Sequence, residues 1–198
     1  MKTWSLRLTS SFLLGSALFL GACGVQSIPT QLNEVEASWA EVLNQYQRRA
    51  DLVPNLVEVV KGYAKHEQET LEAVVSARAS ATQVKVDVKD LNEESLKRFQ
   101  AAQGQLTGSL SRLMVVAEKY PDLKANENFR DLQTQLEGTE NRITVARNRY
   151  IEQVKTFNNL VTVFPTSVTN SVFFHHAKKP QFTVENEAAV SKPPEVKF

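Results

Sequence analysis

The chain of 198 residues has few of the residues that punctuate a fold: 7 glycines, 7 prolines and a single cysteine. Scarce glycine and proline leave few turn signals, which excludes a fold of many short strands joined by tight turns and favours long helices. One cysteine excludes a disulfide framework within the chain. A formal net charge of +1 implies no broad basic surface of the kind that nucleic-acid binding needs, so no nucleic-acid partner is expected. A hydrophobic run of membrane-spanning length is also missing. The apolar stretch from Phe12 to Val25 covers 14 residues, against the roughly 20 that a transmembrane helix requires. What remains, 42% hydrophobic and 23% charged, suffices for one domain with a continuous core.

The N-terminus has its own logic. Lys2 and Arg7 supply a positive region and "SFLLGSALFL" an apolar core, the pattern of an export signal over residues 1–22. Removing that segment takes away two cations and no acid, so the charge of +1 becomes −1. Leu20-Gly21-Ala22-Cys23 comes directly after and resembles the bacterial lipobox, in which small residues admit a signal peptidase before an acylated cysteine. Cys23 is therefore the expected lipid-attachment site, and residues 23–30 an acylated N-terminus and linker. A leftover thiol outside the cytoplasm invites intermolecular pairing, and acylation, with palmitate among the chains, removes that hazard. Two or three acyl chains, at about 0.8 kcal/mol per buried methylene, give stable anchoring. The resemblance to lipoproteins implies a bacterial membrane facing the periplasm or cell exterior. Gly24, where inner-membrane retention uses Asp, favours the outer membrane in a cell that has one.

From Leu32 to Ala77, positions spaced alternately by three and four are apolar at eleven of fourteen sites; the exceptions are Arg49, Glu67 and Thr70. This spacing predicts one amphipathic helix of about 50 residues, roughly 75 Å long if straight. Val84, Val86 and Val88 alternate with polar residues and read as an extended connection or a short strand, with Asn92 placed to cap the next helix. A second helix is expected over 93–120, along Leu96, Phe99, Leu106, Leu110, Leu113, Ala117 and Tyr120, and Pro121 stops it. A third is expected over 127–163, along Phe129, Leu132, Leu136, Ile143, Ala146, Tyr150, Val154, Phe157 and Leu160. "TSVTNSVFFHH" suits a short fourth helix that caps the others with Val168, Val172 and Phe173. The expected fold is all-α: an antiparallel bundle of three long helices plus a short C-terminal one, over residues 31–176, with 177–198 a loose tail.

"QRRADLVP" interrupts the first helix. Pro54 deprives the Ala50 carbonyl of its helical donor and crowds it, so the helix either bends there or restarts with Asp51 as N-cap. Arg49 falls on the apolar register, where a cation needs a carboxylate or carbonyl partner, and Glu137 and Glu140 are candidates.

"RRADLVPNLVEVVKGYAKHEQETLEAVVSARA", "EGTENRITVARNRYIEQVKTFNN", the "FP" pair and the terminal "PPEVKF" are similar to the LemA family of bacterial membrane proteins, in order and at plausible spacing over most of residues 34–198. The resemblance implies an antiparallel helical bundle attached to a membrane by its N-terminus and exposed outside the cytoplasm. Two departures stand out. A lipobox occupies the place of the family's common transmembrane helix, and "TSVTNSVFFHHAKKPQF" replaces a glycine-containing turn.

No catalytic set emerges. "HEQET" opens like a zinc-protease helix, but Thr70 stands where the second histidine belongs. His175 and His176 are adjacent and point apart on a helix, with no third ligand nearby. The Glu-x-x-His pairs of di-iron bundles do not occur, nor does a phosphate loop or a nucleophile elbow. No cofactor and no metal are expected. The leading expectation is a non-enzymatic adaptor that presents Arg48, Arg49, Asp51, Asn55, Lys61, Glu140, Asn141 and Arg142 to another envelope protein. The same cluster read as an internal clasp is the alternative. A self-associating structural module, and a hydrolase or regulator of an envelope protease, are the other classes.

Overall fold

Heptad-like apolar stripes on successive helices are covered only when the helices fold back on one another, and this chain does so repeatedly. The computed structural model describes the backbone of residues 2–182 and the side chains of residues 25–182. Cys23 and the last part of the expected tail lie outside the described side chains. Helix α1 (Lys2–Tyr63) runs into α2 (Gln68–Gln83), followed by α3 (Glu93–Ala117), the short α4 (Pro121–Ala125) and α5 (Glu127–Thr162). A single turn, α6 (Thr166–Thr169), and a π-helical turn, Asn170–Phe174, complete the order. The described residues contain no strand. The all-α bundle is as the sequence predicts; its layout is up-down-up-down, with α1 packed most extensively on α5 and α3 on α2.

The first expected rod is in fact two helices. Gly62, the weakest helix former after proline, precedes a turn in which Glu67 N–H donates to the Ala64 carbonyl at 3.1 Å. The chain then reverses into α2. Glu67 and Thr70, two of the three polar interruptions in the apolar register, mark this reversal. Its neighbours are tied together: the Tyr120 hydroxyl lies 3.2 Å from Glu67 Oε1, and Asn126 Nδ2 donates to the Tyr63 hydroxyl at 3.0 Å.

The connection at 84–92 is not a strand: it alternates buried and exposed residues as far as Val88 and then turns. Val86 and Val88 enter the core, and Trp39 Nε1 donates to the Val86 carbonyl at 3.0 Å. Asn92 caps α3 in a reciprocal box with Ser95, each side chain bonded to the other's backbone N–H at 2.9 Å. Helix α3 ends three residues before the expected Tyr120, and Pro121 starts α4 from its first turn.

The C-terminal cap differs from expectation. Val168, Val172 and Phe173 are exposed, while Thr169 and Asn170 face inward. Beyond it, where a loose tail is expected, residues 177–182 fold back on the bundle. Phe182 is buried against Trp39 and Tyr150, with ring centroids 6.0 and 5.5 Å apart, and the Arg147 guanidinium lies 4.6 Å from its ring. Ile28, inside the expected linker, is fully buried on α1.

Candidate functional site

The core is divided by a polar layer. One apolar cluster ends at Tyr46 on α1, at Phe99 on α3 and at Ile143 on α5; the other begins at Val53, Leu106 and Leu136. Each pair is seven residues apart, and the gaps hold Arg49, Gln103 and Glu140. Arg49 is 1% exposed. Its Nη1 donates to Glu140 Oε1 at 2.7 Å and to Thr107 Oγ1 at 2.8 Å. Its Nη2 donates to Gln103 Oε1 at 2.7 Å and to the Gln103 carbonyl at 3.2 Å. The guanidinium also sits 5.0 Å from the Tyr46 ring. These four hydrogen bonds tie three helices together at one level, and of the two candidate carboxylates Glu140 is the partner. Burial pushes the Tyr46 phenol pKa up, opposed by the nearby Arg147 and Arg49 charges.

Pro54 neither ends α1 nor restarts it. The helix continues through it, and Asp51, instead of capping, accepts from Gln47 Nε2 at 2.7 Å. The Ala50 carbonyl that the proline leaves without a donor receives Arg78 Nε from α2 at 2.7 Å. That residue carries no signal in the sequence.

The eight residues expected to form one face divide into three groups. Arg49 and Glu140 belong to the internal clasp, so Arg49 is not displayed at all. Glu41 accepts from Arg149 Nη1 at 2.6 Å across the outer seam between α1 and α5. Arg48 lies two turns after Glu41 and Arg142 two turns before Arg149, so antiparallel packing brings both to one level of that seam. Neither has an ion pair among the described residues. Asp51 and Asn55 continue the exposed stripe of Arg48, and Asn141 is exposed beside Arg142. Lys61, six residues after Asn55, points about a third of a turn away from it.

A cleft separates α3 from α5. Its inner part, about 360 Å³, is lined by Tyr46, Arg49, Gln103 and Thr107 on one side and by Glu140 and Arg147 on the other. Through Gln100, which borders both, it adjoins a wider part of about 1190 Å³ rimmed by Lys89, Lys97, Lys178 and Lys179, with Glu93 its one acid. Lys179 is committed to the fold: its Nζ donates to the Val88 carbonyl at 3.0 Å and its backbone N–H to Asn158 Oδ1 at 2.8 Å. Sequence reasoning misses this cleft, because its wider part depends on residues 176–181 folding back.

Among the described residues no group of three His, Cys, Asp or Glu side chains is arranged to hold a metal ion. No helix among them is long and apolar enough to cross a membrane. The His175 backbone takes the left-handed conformation at φ 56°, and the His176 ring stacks on Phe174 with centroids 5.8 Å apart. The two histidines thus serve the chain's exit from the π-helical turn. No curated protein matches the chain. A family model described as the LemA family matches residues 38–198, four-fifths of the sequence, from the middle of α1 through every later helix, and the chain belongs to that family.

Proposed function

We propose that this LemA-family protein is a non-enzymatic adaptor of the bacterial envelope, lipid-anchored through Cys23, whose cleft between α3 and α5 receives an extended acidic segment of another envelope protein. The observation that carries the reading is the cleft itself. It runs along α3 from Asn92 to Thr107, roughly 22 Å at 1.5 Å per residue. A long, narrow, half-polar cleft suits a peptide segment better than a compact metabolite. Three uncommitted lysines, Lys89, Lys97 and Lys178, against Glu93 favour a negatively charged occupant. Deeper in, Arg147 and the Tyr46 hydroxyl offer polar contacts beside a floor already held by the Arg49 clasp.

The anchor has its own support in Leu20-Gly21-Ala22-Cys23 and the export-type segment before it. Cys23→Ser is expected to abolish acyl labelling and processing at that bond; unchanged labelling refutes the anchor.

A photo-crosslinker scan in living cells tests the adaptor reading, with probes at Ala101 and Thr144 in the cleft, at Asp51 and Asn141 on the outer seam, and at Glu69 on α2. One discrete adduct from the cleft positions, identified by mass spectrometry as an envelope protein, is the expected result. Adducts only at Asp51 and Asn141 would move the interface to the Arg48–Arg142 seam. Hydrolysis of peptide, glycan or lipid by the purified protein, lost on changing Glu140, would replace the adaptor with an enzyme.

A further inference from the structure

Six of the ten large apolar side chains exposed among the described residues gather at one end of the bundle: Val25, Val163, Phe164, Val168, Val172 and Phe173. Phe164 is 75% and Phe173 67% exposed, and no other phenylalanine described is so open. The turn that carries them is inverted relative to a water-facing one. Two of its polar residues point in: Thr169 is buried, and Asn170 Nδ2 donates to the Val161 and His176 carbonyls at 3.3 and 3.0 Å while its Oδ1 accepts from His176 N–H at 3.0 Å. Val168, Val172 and Phe173 point out, while Phe174 packs against the core. The Asn170 bonds fix that orientation, so the exposure is built into the fold.

The position of this tip decides what covers it. Gln31 Nε2 bonds to Gln153 Oε1 at 2.7 Å across α1 and α5. Antiparallel helices rise equally, so this pair sets Thr162 level with Ala22, and the Glu41–Arg149 pair, thirteen residues away on each helix, sets it level with Ile28. The apolar tip beyond Thr162 therefore lies within about two turns of the height of Cys23. Two stretches far apart in sequence meet there, from Arg7 to Glu34 and from Lys155 to Lys178, and between those bounding residues neither contains Asp, Glu, Lys or Arg.

We infer that the tip formed by Val163, Phe164, Val168, Val172 and Phe173 inserts into the headgroup and upper acyl region of the bilayer, giving the bundle a second, non-covalent membrane contact beside its N-terminal tether. Apolar side chains on a short rigid turn, flanked at a distance by Lys155 and Lys178, have the chemistry of an interfacial insertion. Two contacts at one end fix the bundle's tilt and hold the cleft at a set height above the lipid. The inference uses the tethering reading only to place Cys23 at the membrane.

Full-length protein reconstituted in vesicles of phosphatidylethanolamine and phosphatidylglycerol tests this. An environment-sensitive fluorescent amino acid is placed at Val168 or Phe173, or at Lys119 near the opposite end, with nitroxide quenchers on the lipid acyl chains. Blue-shifted emission and quenching at 168 and 173 but not at 119 are expected. In Phe164→Ser/Phe173→Ser protein probed at 168, quenching should fall while circular dichroism and vesicle co-flotation stay unchanged. Co-flotation with no more quenching at 168 and 173 than at 119 overturns the insertion and leaves the tether standing. Absence of co-flotation sinks both. Self-quenching between probes without lipid quenching would assign the tip to a second copy of the chain instead.

Discussion

Arg78 Nε on α2 donates, at 2.7 Å, to the carbonyl of Ala50 on α1, the acceptor that Pro54 deprives of its helical partner. A helix interrupted by proline usually breaks or kinks because that carbonyl is orphaned and crowded. Here an adjacent helix supplies the donor, and α1 continues to Tyr63. The proline thereby becomes a contact point between α1 and α2.

Arg78→Ala should therefore destabilise the protein by about 1–3 kcal/mol, the usual range for a buried acceptor left unpaired. In a Pro54→Ala background, residue 54 supplies its own N–H and the cost of losing Arg78 should shrink. Urea unfolding of the four proteins in a double-mutant cycle measures the coupling. Additive costs would show that Arg78 acts through packing alone.

The Arg49 clasp predicts unequal costs for its two ends. Arg49→Ala removes four hydrogen bonds and opens the polar layer, so a loss of about 3–5 kcal/mol is expected. Glu140 is 44% exposed on its side chain; water replaces part of what Glu140→Ala removes, but the buried Arg49 cation loses its carboxylate, and about 2 kcal/mol is expected. Arg49→Met, which keeps the volume, should fall between them. Chemical denaturation of the three variants checks the order, and an equal loss at both ends would contradict it.

Part of this layer is readable in the sequence. Arg49 breaks the apolar register of α1, Gln103 falls between Phe99 and Leu106 on α3, and Glu140 falls between Leu136 and Ile143 on α5. Three polar breaks at seven-residue gaps in three amphipathic helices mark one level of a bundle. Periodicity does not show the fold-back at Tyr63, because the apolar stripe resumes in phase on α2. Nor does it find Arg78 or Phe182: one serves a backbone carbonyl, the other lies past the last periodic segment. The inverted turn at 166–174 escapes it for a related reason. Apolar residues are expected to point inward, yet Thr169 and Asn170 take that place through burial and hydrogen bonds.

Tyr150 is fully buried, with its hydroxyl donating to the Pro180 carbonyl at 2.9 Å, and burial raises its pKa well above the ordinary phenol value. Tyr46 is shifted the same way by burial. A phenol whose folded pKa is raised keeps its proton in the fold after the unfolded chain has released it. Its contribution is therefore fully present below about pH 10 and lost as pH rises beyond it. Urea midpoints should fall as pH rises above about 10, and Tyr150→Phe should flatten that decline while losing only the Pro180 bond at neutral pH, about 1 kcal/mol. An unchanged alkaline slope in the variant would place the titration elsewhere.

Phe182 pins residues 177–182 to the bundle through Trp39, Tyr150 and Arg147. Phe182→Ala should cost about 3 kcal/mol if the segment unfolds only with the whole domain, the lower end for a core phenylalanine. If the segment opens independently, global stability changes less and amide exchange accelerates at 177–182 alone. Hydrogen exchange with peptide resolution separates these outcomes, and the second would show that the wider part of the cleft can open without unfolding.

The cleft can be filled without disturbing the core. Ala101 and Thr144 line its two parts, and both are exposed. Tryptophan at either position places a large ring in the cleft from a solvent-facing helical site, where substitutions usually alter stability by no more than about 0.5 kcal/mol. Ala101→Trp and Thr144→Trp are therefore expected to unfold at the wild-type urea midpoint yet to lose the crosslinked adduct obtained from the remaining cleft probe. Arg48→Glu with Arg142→Glu reverses the charge of the outer seam and should leave that adduct intact. If the seam variant abolishes the adduct and the tryptophans do not, the partner reads the paired arginines of α1 and α5, and the cleft between α3 and α5 is a gap in packing with no part in recognition.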